Sequence, residues 1–178
     1  MKRSAAPPQI VELEPRAFDD CVADLAELLF DAVDSGASVG FVRPFTRDDA
    51  AAWWRSIASD VARGVTLVLA ASVDGRVVGT AQLRLAQLPN SRHRAEVAKV
   101  LVHRDARRQG VGRALMSAVE DLARRHGRTL LFLDTISGSD AVRLYEGLGW
   151  TRAGEIPRYA GMPDGTLAPT TIFFKELR

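Results

Sequence analysis

The stretch RRQGVGRALM, residues 107–116, constrains the fold of this chain more than any other part of the sequence. The apolar strand pattern AEVAKVLVH (95–103) precedes it, and the apolar stripe of a helix follows over 110–126. Glycines at the start of a helix let an anion approach the free N–H groups of the first turn, where the helix dipole is positive. The junction therefore predicts a strand–loop–helix unit that binds a phosphate or pyrophosphate.

Two alternatives bear on this junction. It lacks the Gly-Lys-Ser/Thr of a Walker motif, and it is not GxGxxG with a following acidic residue. A glycine-containing loop that merely turns the chain is the simpler interpretation of the two glycines alone. The rest of the sequence has to decide between a turn and an anion site.

Length and composition favour one globular domain over residues 1–178, with residues 1–8 expected to be disordered. No apolar run reaches the ~18 residues of a membrane span, and no apolar segment follows the basic N-terminus as in a secretion signal. A cytoplasmic location is therefore expected. The single cysteine, Cys21, excludes an internal disulfide, and its apolar neighbours at helical spacing predict a buried structural thiol.

Charge is unevenly distributed along the chain. The formal net charge is +2, yet residues 91–128 hold ten Lys/Arg against four Asp/Glu. Such a segment indicates either an anionic partner or a solvated basic face. No aromatic residue is interleaved with these arginines, so a nucleic-acid partner is not expected.

Apolar periodicity predicts the element order β α α β β β α β α β β. Thr46 and Asp49 predict a capping box at the second helix, whose Trp53 and Trp54 are interpreted as packing residues. Asp74-Gly75 predicts a type I′ hairpin turn. The last two strands are expected at 150–156 and 170–177, on either side of a loop that contains Pro157, Pro163, Gly165 and Pro169. The pattern predicts one α/β (α+β) domain.

The junction also resembles the acetyl-CoA-binding segment of the GNAT superfamily of N-acetyltransferases, Q/R-x-x-G-x-G/A. Arg107, Gly110 and Gly112 occupy its fixed positions. The strand at 95–103 and the segment AVRLYEGLGW (141–150) resemble the flanking family motifs in order and spacing. The resemblance implies the single-domain GNAT fold, in which a mixed, mostly antiparallel sheet of about seven strands is flanked by four helices.

The resemblance implies acetyl-CoA as co-substrate and no metal. The pantetheine arm would lie along the backbone of Val100, Leu101 and Val102. The pyrophosphate would meet the loop and its backbone amides, at Arg107, Arg108, Gln109, Gly110, Val111, Gly112 and Arg113. Gly138 stands where many members carry asparagine, and the next residue, Ser139, is expected either to supply a shorter polar contact or to cap the following helix.

Three residues become catalytic candidates on this resemblance, because acetyl transfer to an amine needs a base and an acid for the leaving thiolate. Tyr145 occupies the thiolate-protonating position, and a core tyrosine is the alternative. Glu96, at the start of the fourth strand, is expected near the base position. Asp134, at the end of the fifth strand, is expected to hold the acceptor's ammonium group or to tune Glu96. Ordinary surface carboxylates are the alternative for both.

Four longer segments resemble the acetyltransferases that confer resistance to tabtoxin. They are LAELLFDAVDSGASVGF (25–41), RAEVAKVLV (94–102), LLFLDT (130–135) and GMPDGTLAPTTIFFK (161–175). This resemblance implies a small-molecule amine acceptor, a glutamine-like β-lactam, attacked directly in a ternary complex. A protein or peptide amine and a non-catalytic acetyl-CoA-binding module are the alternatives. The chain is expected to act as a monomer or homodimer, without nucleic-acid or membrane partners.

An amino-acid-like acceptor would also need a cation for its carboxylate. The sequence offers three arginines in candidate pocket loops, Arg43, Arg92 and Arg158, and does not choose among them. His93 and His103 are interpreted as structural, since no metal-ligand spacing accompanies them.

Overall fold

The computed structural model describes residues 7–178, so most of the predicted disorder at residues 1–8 falls outside the described residues. Within that range seven strands form one sheet in the order β1-β2-β3-β4-β5-β7-β6. The strands are β1 (Gln9–Glu12), β2 (Thr66–Val73), β3 (Arg76–Leu85), β4 (Arg94–Val102), β5 (Leu130–Ile136), β6 (Thr151–Gly161) and β7 (Leu167–Glu176).

The α-helices in residues 7–178 follow the predicted order, except that the second predicted helix is divided at Ile57. They are α1 (Pro15–Asp34), α2 (Arg47–Ser56), α3 (Ala58–Ala62), α4 (Val111–Arg125) and α5 (Asp140–Glu146). Two short 3-10 helices, Pro89–Ser91 and Arg104–Ala106, flank β4. None of the helices in the described range has the length and apolar character needed to cross a membrane.

Helices cover both faces of the sheet and bury two apolar clusters. On one face, α4 and α5 pack on β2–β5 through residues such as Leu115, Val119 and Leu131. On the other, α1, α2 and α3 pack around Phe18, Leu25, Leu29 and Trp54. The result is a three-layer α/β domain, as the predicted element order requires.

Local signals at two positions are confirmed. Thr46 and Asp49 form the predicted capping box of α2. Asp74 and Gly75 both have positive φ, at 50° and 78°, as a type I′ turn requires. The buried Trp54 indole donates a hydrogen bond to the Leu25 carbonyl at 2.9 Å, which confirms its packing role.

The expected loop between the last two strands is wrong. β6 continues to Gly161 and β7 starts at Leu167, so Pro157 and Pro169 lie inside strands. β6 is the edge of the sheet, where a residue without an N–H is tolerated. The register also shifts between Ile156 and Ala160, and Pro169 stands opposite that irregular stretch. Proline ends a strand only where a ladder hydrogen bond is required, and neither position requires one.

Candidate active site

Two neighbouring strands separate in the middle of the sheet, and a cleft opens between them. β4 and β5 form the one parallel pair among the described strands, and their pairing covers only 94–96 with 130–132. Beyond that point β5 stays with β7 and β4 stays with β3. The backbone groups of β4 that face β5 after Glu96 therefore have no strand partner, and an extended ligand can take that place.

A β-bulge in β4 lies beside the cleft. Between paired positions 98 and 101, β4 has two residues, Lys99 and Val100, against one residue of β3. Lys99 has a φ of 49°, a left-handed conformation that is costly for a residue with a side chain. The extra residue also changes which face the strand presents, because Val97 packs in the cluster of α4, whereas Leu101 packs in the cluster of α1.

Two adjoining cavities occupy the cleft. The loop cavity, of 690 Å³, is lined by residues of the 107–113 loop and of α5. The bulge cavity, of 440 Å³, is lined by Glu96, Lys99 and Asp134 among others. They share eight lining residues, which are Gly36, Ala37, Val39, Val100, Leu101, Ser139, Ala141 and Tyr145. Two molecules bound in these cavities would meet at Val100, Leu101 and Tyr145.

The start of α4 forms one wall of the loop cavity. Gly110 occupies the N-cap position with a φ of 84° and offers no side chain to the first N–H groups of the helix. A Cβ at Gly112 would lie 3.3 Å from Leu144 Cδ2, so a side chain there would be in tight contact with α5. This arrangement of free amides and missing side chains fits the pyrophosphate of acetyl-CoA.

The side chains of the loop are engaged in holding it. Arg107 donates to Ser35 Oγ at 2.9 Å and to the Val102 carbonyl at 3.1 Å. Gln109 donates to the Asp105 carbonyl at 2.9 Å. Arg107, Arg108 and Arg113 line the loop cavity, but Gln109 does not. The loop thus offers its backbone and a positive field to an anion, and Gln109 supports it from outside the cavity.

An ion pair spans the opening between the loop and α5. Arg108 Nη2 lies 2.9 Å from Asp140 Oδ2, and both side chains are exposed. Asp140 is the first residue of α5 and follows Ser139, which occupies the N-cap position. The Ser139 hydroxyl makes no capping hydrogen bond and lies 3.5 Å from the Thr135 hydroxyl. Ser139 therefore occupies the predicted N-cap position without a side-chain capping bond, and it lines both cavities.

The bulge cavity contains charges of both signs. Glu96 and Asp134 contribute carboxylates, while Arg84 and Lys99 contribute cations. Arg84 is already paired: its Nη1 lies 3.5 Å from Glu96 Oε1, and its Nε donates to the buried Gln82 Oε1 at 3.2 Å. Asp134 is exposed and makes no ion pair with any residue in 7–178. It lies two residues before the end of β5, so its predicted place at the strand end was wrong by that amount.

Lys99 reaches across the bulge cavity toward the α1–α2 loop. Its Nζ lies 4.8 Å from the ring centre of Trp53 and 5.6 Å from that of Phe41. A Cβ at Gly40 would be 3.6 Å from the same nitrogen. Burial, reinforced by the positive charge of Arg84, lowers the pKa of Lys99 to about 8.

Tyr145 stands where the two cavities meet. It is 5% exposed, and its ring packs against Trp150 and Phe173. Its hydroxyl is absent from the hydrogen bonds among residues 7–178, so it is not the internally bonded core tyrosine of the alternative interpretation. Burial, with a smaller effect of Asp134, raises the pKa of Tyr145 well above its usual value. The phenol therefore keeps its proton across the neutral range.

Two backbone segments are tied together on the far side of the bulge cavity. Ser38 Oγ donates to the Gly161 carbonyl at 3.0 Å, and the Arg43 N–H donates to the Pro163 carbonyl at 2.8 Å. The first bond joins a lining segment, 36–40, to the end of β6, where Tyr159 and Ala160 also line the cavity. These bonds limit the opening of the cavity on that side.

Several sequence candidates lie away from the cleft. Arg43, Arg92 and Arg158 are not among the described residues that line the bulge cavity, and the Arg43 guanidinium donates to the Asp34 carbonyl at 2.8 Å. Cys21 is half-buried instead of buried. Burial raises the pKa of its thiol, with smaller contributions from Asp24 and Asp20, so nothing activates it as a nucleophile.

Sequence reasoning missed Arg84 and Lys99. A signal for Lys99 was present, because a lysine interrupts the apolar run AEVAKVLVH at a strand interior. Its meaning depends on the bulge, which no local pattern indicates. His103, which was interpreted as structural, accepts a hydrogen bond at Nδ1 from the Asp105 N–H at 3.3 Å and lies beside the buried Asp31.

Solved structures with this fold cover nearly the whole chain. yncA from Salmonella typhimurium, solved with its cofactor acetyl-CoA, superposes with a TM-score of 0.77 at 23% identity over 97% of this chain and 95% of that one. An N-acetyltransferase from Staphylococcus aureus Mu50 gives a TM-score of 0.79 at 16% identity over 97% and 100%. A ribosomal-protein-alanine N-acetyltransferase from Brucella melitensis gives 0.78 at 22% identity over 95% and 99%.

The sequence itself matches the acetyltransferase (GNAT) family over residues 4–150. That match includes β4, the glycine loop and α5, which form the loop cavity. The fold predicted from the resemblance is confirmed, and family membership makes acetyl-CoA the co-substrate. The chain belongs to the acetyltransferase (GNAT) family and is an N-acetyltransferase.

Proposed function

We propose that this enzyme acetylates the amino group of a small amino-acid-like acceptor, by direct attack while acetyl-CoA and the acceptor are bound together. The observation that carries the proposal is the pair of adjoining cavities that meet at Val100, Leu101 and Tyr145. The loop cavity suits the long co-substrate. The bulge cavity, at 440 Å³, suits a second small molecule and opens on the same point.

The carboxylates of the bulge cavity suit an amine acceptor. Glu96 stands where β4 and β5 part, and Asp134 lies two residues beyond its register partner Phe132 on the neighbouring strand. Two carboxylates on one side of a cavity attract an ammonium group, and one of them can accept its proton directly or through water. Deprotonation leaves the amine nitrogen with the free electron pair that attack on the acetyl carbon requires.

Tyr145 suits the leaving group. Its raised pKa keeps the hydroxyl protonated, and its position at the junction of the cavities is consistent with a hydroxyl close to the thioester sulfur of a bound donor. Since a thiol near its ordinary pKa of about 8.5 is the stronger acid, complete proton transfer from Tyr145 would be uphill. We therefore assign Tyr145 to donating a hydrogen bond that stabilises the departing thiolate.

The hydrogen bonds on the far side of the bulge cavity favour a small acceptor over a peptide. Ser38 and Arg43 join the α1–α2 loop to the end of β6 and the turn after it. A peptide bound in the cavity would have to break these hydrogen bonds or extend out of the cavity on another side. A protein or peptide amine is the second candidate, since the similar structure from Brucella melitensis belongs to an enzyme named for a ribosomal-protein alanine.

Within small acceptors, the resemblance to tabtoxin-resistance acetyltransferases favours a glutamine-like β-lactam. The segments that resemble those enzymes include 25–41 and 161–175, which contribute to the bulge cavity. The proposal of toxin resistance therefore rests on segments that line the cavity assigned to the acceptor. A non-catalytic acetyl-CoA-binding module would have no use for the free carboxylate of Asp134 at that place.

The test is kcat/KM, measured by release of coenzyme A, for four kinds of acceptor. These are the glutamine-like β-lactam, free amino acids, a peptide with N-terminal alanine, and a histone peptide. We expect the first two kinds to exceed both peptides. Efficient peptide acetylation without turnover of amino-acid-like amines would overturn the acceptor proposal, and acetyl-CoA binding without any turnover would support the binding module.

Two variants test the carboxylates. Glu96→Gln and Asp134→Asn should each lower kcat/KM about 100-fold, the contribution typical of general base catalysis, and leave acetyl-CoA affinity unchanged. Glu155→Gln is the matched control, because Glu155 is an exposed carboxylate on β6 that does not line either cavity. Equal activity of all three variants would return Glu96 and Asp134 to ordinary surface carboxylates.

A further inference from the structure

Lys99 is the cation of the bulge cavity that has no anionic partner. Arg84, the other cation in its lining, is held by Glu96 and Gln82. The Lys99 ammonium makes no ion pair and no hydrogen bond with any side chain in residues 7–178. Its three N–H donors are therefore available to the cavity, although desolvation of an unpaired charge is unfavourable.

The backbone conformation of Lys99 is also unfavourable. Lys99 is in the left-handed region, in a bulge that a glycine would occupy more easily. The rings of Trp53 and Phe41 lie under the ammonium and fix its position. Gly40 lies beside the ammonium, since a Cβ there would be 3.6 Å from the nitrogen, an ordinary contact distance. A strained and unpaired cation held by two rings at a cavity wall is typical of a ligand contact.

The anionic parts of acetyl-CoA do not explain this cation. The amides and arginines that suit its phosphates belong to the 107–113 loop and line the loop cavity. Lys99 lines the bulge cavity and does not line the loop cavity. Its partner must therefore be an anionic group on the acceptor.

We propose that Lys99 binds the carboxylate of an amino-acid-like acceptor and so selects zwitterionic acceptors over simple amines. The inference rests on the proposed function. The bulge cavity then contains two subsites of opposite charge: Glu96 and Asp134 attract the ammonium group, and the Lys99 ammonium donates to the carboxylate on the side of the cavity lined by Gly40. The lowered pKa of Lys99 is consistent with this assignment, because burial and the positive charge of Arg84 outweigh the opposing effect of Glu96 and Asp134.

The experiment compares L-glutamine with L-glutaminamide, which has the same side chain and α-amine and lacks the carboxylate. The variants are Lys99→Met and Lys99→Arg. Lys99→Met should lower kcat/KM for glutamine about 10- to 100-fold, as expected for the loss of a charge-assisted hydrogen bond, and leave glutaminamide within about threefold. Lys99→Arg should retain most of the activity toward glutamine, since the positive charge remains.

Acetyl-CoA affinity and thermal unfolding of each variant establish that the loop cavity and the fold are intact. An equal loss for glutamine and glutaminamide in a folded Lys99→Met enzyme would overturn the role of Lys99. So would no loss for either. If the wild-type enzyme acetylates neither compound and acetylates peptides, both this inference and the proposed function are overturned. If wild type acetylates both compounds equally well, only the inference about Lys99 is overturned.

Discussion

The loop cavity and the bulge cavity share a wall but differ in how the chain builds them. The loop cavity takes its ligand-binding features from one continuous stretch, β4 to α4, and offers backbone amides, glycines and a positive field. The bulge cavity draws on separate segments, around 36–40, 84, 96–101, 134–136 and 159–170, and offers charged side chains. Backbone features suit a co-substrate shared by a whole family, whereas side chains on separate segments can change with the acceptor.

The strongest test of this division is Gly112→Asp. The Cβ of any residue there would lie 3.3 Å from Leu144 Cδ2, and aspartate would add a negative charge beside the loop that is predicted to bind the pyrophosphate. We expect the Kd for acetyl-CoA, measured by calorimetry, to rise by about 100-fold or more. Gly154→Asp is the matched control, because Gly154 lies on the edge strand β6, and a Cβ there meets nothing within 4 Å.

An unchanged Kd for folded Gly112→Asp would remove the loop from the binding site. Equal losses in Gly112→Asp and Gly154→Asp would mean that the first variant acts through folding instead of through the ligand. Neither outcome is expected if the backbone of the loop cavity carries the contacts.

Tyr145→Phe tests the wall that the two cavities share, and its expected effect is smaller. If Tyr145 stabilises only the departing thiolate, as proposed, the variant should lower kcat about 10- to 100-fold and leave the Kd for acetyl-CoA unchanged. Tyr159→Phe is the control, since Tyr159 is the other tyrosine of the chain and also lines the bulge cavity. A fully active Tyr145→Phe enzyme would return Tyr145 to a packing role.

The same division explains what the sequence could reveal. The loop could be predicted from Gly110, Gly112 and Arg107, because an anion site at the start of a helix is formed by residues that are neighbours in sequence. The fold was predictable for a similar reason, since apolar periods of 2 and 3.6 are local. Lys99 was not predictable, because its role depends on a bulge that re-aims β4 and on rings contributed by Phe41 and Trp53. The prolines of β6 and β7 led to the wrong prediction of a long loop, because whether a strand tolerates proline depends on its edge position and register in the sheet.

The smallest expected effect is a pH dependence confined to the bulge cavity. With a pKa of about 8, Lys99 is cationic below that pH and becomes neutral above it, so its attraction for a carboxylate is present at neutral pH and fades as pH rises. The other charged groups that act on it are Arg84, Glu96 and Asp134. Wild type and Lys99→Arg should therefore diverge with pH, because arginine stays charged.

The measured quantity is kcat/KM of wild type divided by kcat/KM of Lys99→Arg, both with glutamine. Titration of the acceptor amine affects both enzymes alike and cancels in this ratio. We expect this ratio to fall several-fold between about pH 7 and about pH 9.5, since kcat/KM reports groups of the free enzyme. The same ratio for glutaminamide should not change with pH, because that acceptor has no carboxylate for Lys99 to attract. A ratio that stays flat for both acceptors would separate Lys99 from acceptor binding and leave the bulge cavity with one charged subsite, that of Glu96 and Asp134.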